Sequence, residues 1–287
     1  MKGPRLRALA LVLGSLAACH PAGGEAAPPV RIVSLNPTTT ELLFALGAGS
    51  RLVGRSDACD YPAGAADIPS LGGGFPPSVE AVVGARPDLV VLYRSAGNAA
   101  AAARLQELGI RVLLLRTDRL ADVARAARVL GAAVGRALAG DSIAERLEAD
   151  LAAERAAAEG DQSRLPTLLL AWDQPAIVLG AGSFASELLE LAGGRNVFAD
   201  LPAPSAPVSL EAIADRRPVV VLLAGSEMPD LERRAEWRSL SAVRAGRLLR
   251  LTESSSNRPS PRAPAAVRQL RARLAALASG PPSGESR

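Results

Sequence analysis

The sequence predicts an α/β molecule of two similar lobes, and three observations carry that expectation. The first is a repeat at domain spacing. Ser78-Val79-Glu80-Ala81, Arg86-Pro87 and the apolar run Leu89-Val90-Val91-Leu92 recur as Ser209-Leu210-Glu211-Ala212, Arg217-Pro218 and Val219-Val220-Val221-Leu222-Leu223, an offset of 131 residues. A solenoid unit is only about 20–50 residues long, so the period is that of a domain. The second is the alternation of short Val/Ile/Leu runs with helical patterns, which implies parallel sheets with helices on their faces. The third is a long Ala-, Arg- and Glu-rich stretch between the two copies, a composition that favours helix. A cleft between two lobes is the default binding site of such a molecule.

In chain order, 31–35 reads as a strand that stops at Asn36-Pro37. A helix follows over 38–46, with Thr38 as its cap and Glu41 three residues on, as in a capping box. Residues 51–54 form a short strand, and the loops 59–62 and 72–77 carry strong breaker signals. Ser78 caps a helix to 85, 89–92 is a buried strand, 99–108 a helix stopped by Gly109, and 110–115 a strand. Residues 120–138 read as one helix, and Ser142 opens another that runs to 159. The second lobe has strands at 167–171 and 177–179, a helix at 184–191, the repeated helix and strand, and a strand at 248–251. A polar loop over 252–261 leads to a final helix over 263–277. These readings divide the chain into 1–18, a signal peptide; 19–29, a flexible tether; 30–118, the first lobe; 119–160, the helical connection; 161–278, the second lobe; and 279–287, a disordered tail.

The N-terminus reads as an export signal. Residues 1–7 are basic, and 8–18 are apolar but too short to span a bilayer, which needs about 20 residues. They end in Leu16-Ala17-Ala18-Cys19, which resembles the bacterial lipoprotein cleavage box and implies lipid on Cys19. The Pro-, Gly- and Ala-rich 20–29 suits a tether. With Cys19 lipidated, Cys59 has no partner for an intramolecular disulfide.

The chain is 48% apolar, enough for a sizeable core. Its formal charge of +4 includes Lys2, Arg5 and Arg7 of the expected signal, and the remainder is nearly balanced. With no Lys/Arg run, a nucleic-acid partner is not expected. The single His, His20, lies in the tether, so the folded body cannot build a Ser-His-Asp triad. HExxH, CxxC, Walker A and Gly-x-Ser-x-Gly patterns are absent. Gly47-Ala48-Gly49 and Gly180-Ala181-Gly182 lack the spacing of a dinucleotide fingerprint and read as turns. Neither an enzyme nor a resident metal or cofactor is expected.

Aromatic residues make up only 3% of the chain, so each ring is informative. Tyr93 and Trp172 follow directly on predicted strands, and Tyr61 and Phe75 lie in loops. Ligands of open parallel sheets bind outside the carboxyl ends of the strands. Rings there can stack on a flat, largely apolar ligand, or they can pack under loops. Phe44, Phe184, Phe198 and Trp237 lie in apolar patterns and are expected in the core.

The stretch from Arg31-Ile32-Val33-Ser34-Leu35-Asn36-Pro37 through Gly47-Ala48-Gly49, with Leu52-Val53-Gly54, Asp60-Tyr61-Pro62, Glu80 and Arg86-Pro87-Asp88-Leu89-Val90, resembles the substrate-binding proteins for cobalamin, haem and ferric siderophores. The likeness covers about residues 30–277. It implies two Rossmann-like lobes joined by a long rigid α-helix, the role expected of 142–159. It also implies a monomeric carrier on the outer side of a bacterial membrane, held there by its lipid. The carrier delivers its ligand to an ABC permease dimer with its ATPase, and Glu80 and Glu211 stand at the family's permease-docking positions. Asp60-Tyr61-Pro62 is closer to the cobalamin branch than to the haem branch, which implies a corrinoid ligand, with haem or a ferric siderophore as the alternative. Tyr61, Phe75, Tyr93, Trp172 and Arg258 are the candidate ligand contacts, Arg258 through a motif near the family's cleft.

Overall fold

Alternate residues of each central strand point to opposite faces of its sheet, and both faces here are apolar. Ile32, Leu89 and Val91 belong to one buried cluster, while Val33, Val90 and Leu92 belong to another on the opposite face. The same division recurs in the second half. Val220 and Leu222 face one cluster, Val221 and Leu223 the other. This pattern builds two three-layer units. The computed structural model describes residues 28–159, 164–224, 230–251 and 258–278.

In chain order the elements are β1 (Ile32–Ser34), α1 (Pro37–Ala45), β2 (Leu52–Arg55), α2 (Val79–Gly84), β3 (Leu89–Tyr93), α3 (Ala96–Glu107), β4 (Arg111–Leu115), α4 (Leu120–Ala133) and α5 (Ala137–Glu159). They continue with β5 (Pro166–Asp173), β6 (Ala176–Leu179), α6 (Phe184–Leu191), β7 (Arg195–Asn196), β8 (Ser205–Pro207), α7 (Leu210–Asp215), β9 (Val220–Leu223), α8 (Ser241–Arg244), β10 (Leu248–Arg250) and α9 (Ala263–Ala278). The first sheet has the order β2-β1-β3-β4 and is parallel throughout. The second has the order β10-β9-β5-β6-β8, with β7 pairing β5 off that path.

The expected two-lobed α/β fold is present, with local differences. The second sheet is not wholly parallel, because β5, β6 and β8 pair antiparallel. β5 runs to Asp173, so Trp172 lies inside the strand rather than beyond it. The cap of α1 is Asn36, whose Oδ1 accepts from the Thr39 N–H, and Pro37 occupies the first turn, where its missing N–H costs nothing. Glu41 therefore closes no capping box with Thr38. The helices expected over 120–138 and 142–159 instead break at Gly135 (φ 71), and α5 begins at Ala137. Gly131 and Gly140 face each other so closely at this corner that a Cβ on Gly131 would come within 2.8 Å of the Gly140 Cα.

The repeat has the same local structure in both halves. The Ser78 hydroxyl accepts from the Ala81 N–H, and the Ser209 hydroxyl from the Ala212 N–H, each at 3.2 Å. Arg86 and Arg217 then turn the chain in the left-handed region, at φ 49 and φ 48. The long helix α5 ties the halves together. Its Ala144 and Leu147 belong to the first core, and Leu151 packs against cores of both lobes. Trp237 is fully buried, Phe198 and Phe184 are nearly so, and Phe44 packs at the edge of the first core, all as expected.

Candidate functional site

The carboxyl ends of the first sheet open onto a polar, hydroxyl-rich floor. Ser34 Oγ lies 2.8 Å from Thr39 Oγ1 and accepts from Thr40 Oγ1 at 2.9 Å. Asn36 Nδ2 donates to Thr117 Oγ1 at 2.9 Å, tying the end of β1 to the loop after β4. The Cys59 thiol is buried among these groups, 3.1 Å from Thr40 Oγ1 and 3.2 Å from Ser56 Oγ. Every group in this floor has a partner, so burial costs it little.

Three candidate rings, Tyr61, Phe75 and Tyr93, belong to the first lobe, and the fourth, Trp172, to the second. Tyr93 ends β3, half-buried, and its hydroxyl donates to Asp118 Oδ1 at 2.6 Å. That hydrogen bond, with burial and the charge of Asp118, raises the Tyr93 phenol above its ordinary pKa. Phe75 is 61% exposed, and its ring lies over Gly97 in the first turn of α3, where a Cβ would come within 2.9 Å of the ring tip. Tyr61 is exposed and stacks on Arg262, whose guanidinium carbon lies 3.7 Å from the ring centroid. Trp172 belongs to the second sheet. It is 45% exposed, and its Nε1 donates to the Gln174 carbonyl at 2.9 Å. Singly exposed rings are ordinary on a protein surface; these are candidates because they lie in loops and near strand ends, where ligands of such folds bind.

Arg258 reaches from the second half to the loop that carries Tyr61. It donates to the Ala58 carbonyl at 3.2 Å and pairs with Asp60. Its Nε is buried and has no hydrogen-bond partner among the described residues. Glu80 and Glu211 are exposed in the first turns of α2 and α7. The backbone N–H of Glu211 and the Ser209 hydroxyl hold the Glu211 carboxyl below its ordinary pKa. Cys19 lies outside the described residues, as do the polar residues Ser254-Ser255-Ser256-Asn257 and the tail from 279. Among the described residues, no group of three His, Cys, Asp or Glu could hold a metal ion, and no helix is long and apolar enough to cross a membrane.

The sequence matches a known family, described as periplasmic binding protein, over residues 32–254. The chain belongs to that family. As a periplasmic binding protein it is a solute carrier and not an enzyme. The vitamin B12-binding protein of Vibrio parahaemolyticus is 28% identical over 236 residues, 82% of this chain and 86% of the relative. Among solved structures, the periplasmic vitamin B12-binding protein BtuF of Vibrio cholerae superposes with a TM-score of 0.73 at 28% identity, covering 88% of this chain and 98% of that one. The periplasmic heme-binding protein RhuT of Roseiflexus sp. RS-1 in apo form superposes with a TM-score of 0.78 at 25% identity, covering 88% and 99%.

Sequence reasoning missed several residues of this periplasmic binding protein that join its two lobes. Glu41, Arg119, Glu187 and Arg262 all make contacts across the lobes. One sequence signal could have found the two acids: Thr40-Glu41-Leu42-Leu43 recurs as Ser186-Glu187-Leu188-Leu189.

Proposed function

We propose that this chain captures a corrinoid between its lobes and delivers it to an ABC permease. The observation that carries the reading is the set of partly exposed rings. Tyr61, Phe75 and Tyr93 lie at the loops and carboxyl ends of the first sheet, and Trp172 lies on the second. A corrin ring is broad and flat with apolar faces and an amide-rich rim. Rings can cover such faces, and the partly exposed Arg258 guanidinium suits a rim carbonyl. Relatives named vitamin B12-binding proteins at 28% identity support the same ligand.

Haem is the second reading, favoured by the likeness to a heme-binding protein. Two features weigh against it. The only His is His20, before the folded body, and the Tyr93 hydroxyl donates a hydrogen bond to Asp118 and resists ionisation. A tyrosinate ligand to iron would have to give up that hydrogen bond. Tyr61 is then the remaining candidate ligand.

In this reading Cys19 carries the lipid, residues 20–29 form the tether, and the carrier is a monomer on the outer side of the membrane. Glu80 and Glu211 meet basic residues of the two permease subunits. The matched geometry of α2 and α7 supports that role, because two equivalent carboxylates suit a symmetric partner. Equilibrium dialysis of the full-length protein against cyanocobalamin, hemin and a ferric hydroxamate tests the ligand. Retention of cyanocobalamin at about one per chain supports the proposal, and retention of hemin alone replaces it with the haem reading. Uptake assays with Glu80→Ala and Glu211→Ala test docking. Ligand binding should persist while uptake falls, and unchanged uptake in the double variant would remove the docking role.

A further inference from the structure

The two lobes are fastened by a pair of reciprocal Glu–Arg contacts that follow the internal repeat. In the first lobe, Glu41 sits one turn into α1. Its carboxylate receives Arg262 Nε at 2.6 Å and Nη2 at 3.0 Å, and Ser260 Oγ at 2.7 Å. In the second lobe, Glu187 sits in the first turn of α6. It lies 3.2 Å from Arg119 Nε and accepts the backbone N–H of Leu120 at 3.1 Å. The two acids occupy the matching Thr40-Glu41-Leu42-Leu43 and Ser186-Glu187-Leu188-Leu189 segments. Each arginine immediately precedes the helix that follows the last strand of its own lobe. Arg119 comes before α4, and Arg262 before α9. Each lobe thus offers one glutamate and one arginine to the other.

The contacts around each pair also cross between lobes. Thr38 Oγ1 donates to the Pro259 carbonyl at 2.6 Å, beside the first pair. Arg119 Nη1 donates to the Ala181 carbonyl at 2.9 Å, beside the second. Leu120, next to Arg119, packs in the core of the second lobe although α4 otherwise belongs to the first. The Glu41 side chain is only 4% exposed, and Arg262 is 25% exposed. The Glu187 pair is wetter, at 18% and 39%. Burial alone would lower the Arg262 pKa, but the hydrogen bond and charge of Glu41 outweigh it and raise it. Removing one member of a buried pair strands the other, so the first pair is the stronger restraint.

We propose that these two pairs are interlobe clasps that fix the angle between the lobes, and that the first also positions Tyr61. A single helix such as α5 resists bending but leaves torsion about its own axis weakly restrained. Two such fastenings at different points on the boundary, with the Arg258 contacts to Asp60 and Ala58 on the same boundary, restrain that freedom. Through Arg262, whose guanidinium covers the Tyr61 ring, the first clasp sets a candidate ligand contact at the same time. The lobe-fastening role does not depend on which ligand is bound.

Spin-label distance measurement on the full-length protein tests this. Labels go on Ala103→Cys in α3 and Ser241→Cys in α8, both exposed positions, in a Cys19→Ser background where the buried Cys59 stays unlabelled. The parent should give one narrow interlobe distance. Glu41→Gln should add a second population, Glu187→Gln a smaller one, and the double variant should be mostly displaced. Hydrogen exchange is read in parallel, because a clasp between lobes leaves the strand amides of β3 and β9 protected in every variant. A double variant that keeps the parent distance overturns the proposal. So does loss of strand protection in Glu41→Gln, which would make the pair part of a lobe core.

Discussion

Arg271 of α9 holds Glu154 of α5 through two of its nitrogens, one on the carboxylate at 2.6 Å and one on the Glu154 carbonyl at 2.9 Å. Arg268 adds a further contact to the same carboxylate at 2.8 Å. The second Arg271 nitrogen also reaches the Leu191 carbonyl at the end of α6, so the arginine binds three helices at one point. This fastens the connecting helix to the second lobe. Burial raises the Glu154 pKa, but the two guanidinium groups outweigh it and hold the carboxyl below its ordinary range. A depressed carboxyl contributes stability that is fully present above the ordinary glutamate pKa and is lost as pH falls through the folded value. Glu154→Ala should destabilise the protein by about 3 kcal/mol at neutral pH in urea unfolding. Glu154→Gln should flatten the loss of stability below about pH 4. Equal acid sensitivity in the parent and the Gln variant would contradict the assignment.

The Tyr93–Asp118 hydrogen bond makes a prediction of opposite sign. Tyr93 is raised, so its contribution is present below the ordinary phenol pKa and is lost as pH rises through the folded value. The chain has two tyrosines. Ultraviolet titration should therefore resolve a late phenolate step in the parent. Asp118→Asn removes the charge that opposes ionisation and should move that step down toward about pH 10. A step that does not move would place its cause elsewhere.

Arg217 at φ 48 carries the cost of a left-handed non-glycine residue. That cost is about 1–2 kcal/mol, partly offset in a glycine variant by greater chain entropy when unfolded. Arg217→Gly should raise stability by up to about 1 kcal/mol. Arg217→Ala keeps the strained backbone and should not. Urea midpoints of the two variants separate backbone strain from loss of the side chain, and equal midpoints would refute the strain argument.

Gly180 lies under the loop 201–204, where a Cβ would meet the carbonyl oxygens of Leu201 and Ala203. Those oxygens belong to rigid backbone. Gly180→Ala should therefore cost about 1–3 kcal/mol, measured by thermal unfolding. The same substitution at Gly47, where a Cβ meets nothing within 4 Å, tests φ 71 alone and should cost less.

What could be read from the sequence was what local chemistry decides. Ser78 and Ser209 announce caps, alternating apolar runs announce buried strands, and the helix expected over 184–191 is α6. What could not be read depended on distant partners. Glu41 looks like the second half of a capping box, yet its partner Arg262 is 221 residues away. The α4–α5 corner was expected at 139–141 and lies at 134–136, because helix formers flank Gly135 on both sides and the deciding contact is the approach of Gly131 to Gly140. Trp172 reads as a residue past a strand because an antiparallel partner, β6, extends β5 beyond its apolar run. The places of Tyr61 and Phe75 in loops and of Tyr93 at the end of a strand were legible. Their surroundings, such as Asp118 under Tyr93 and Arg262 over Tyr61, were not.

The most direct measurement is a calorimetric titration of the full-length protein with cyanocobalamin and, in parallel, with hemin, repeated on Trp172→Ala. Capture of a corrinoid between rings of both sheets predicts saturable cyanocobalamin binding at about one per chain, weakened about tenfold or more in the variant, since one lost stacking contact is worth on the order of 1 kcal/mol beyond its buried area. Saturable heat with hemin and none with cyanocobalamin would contradict it.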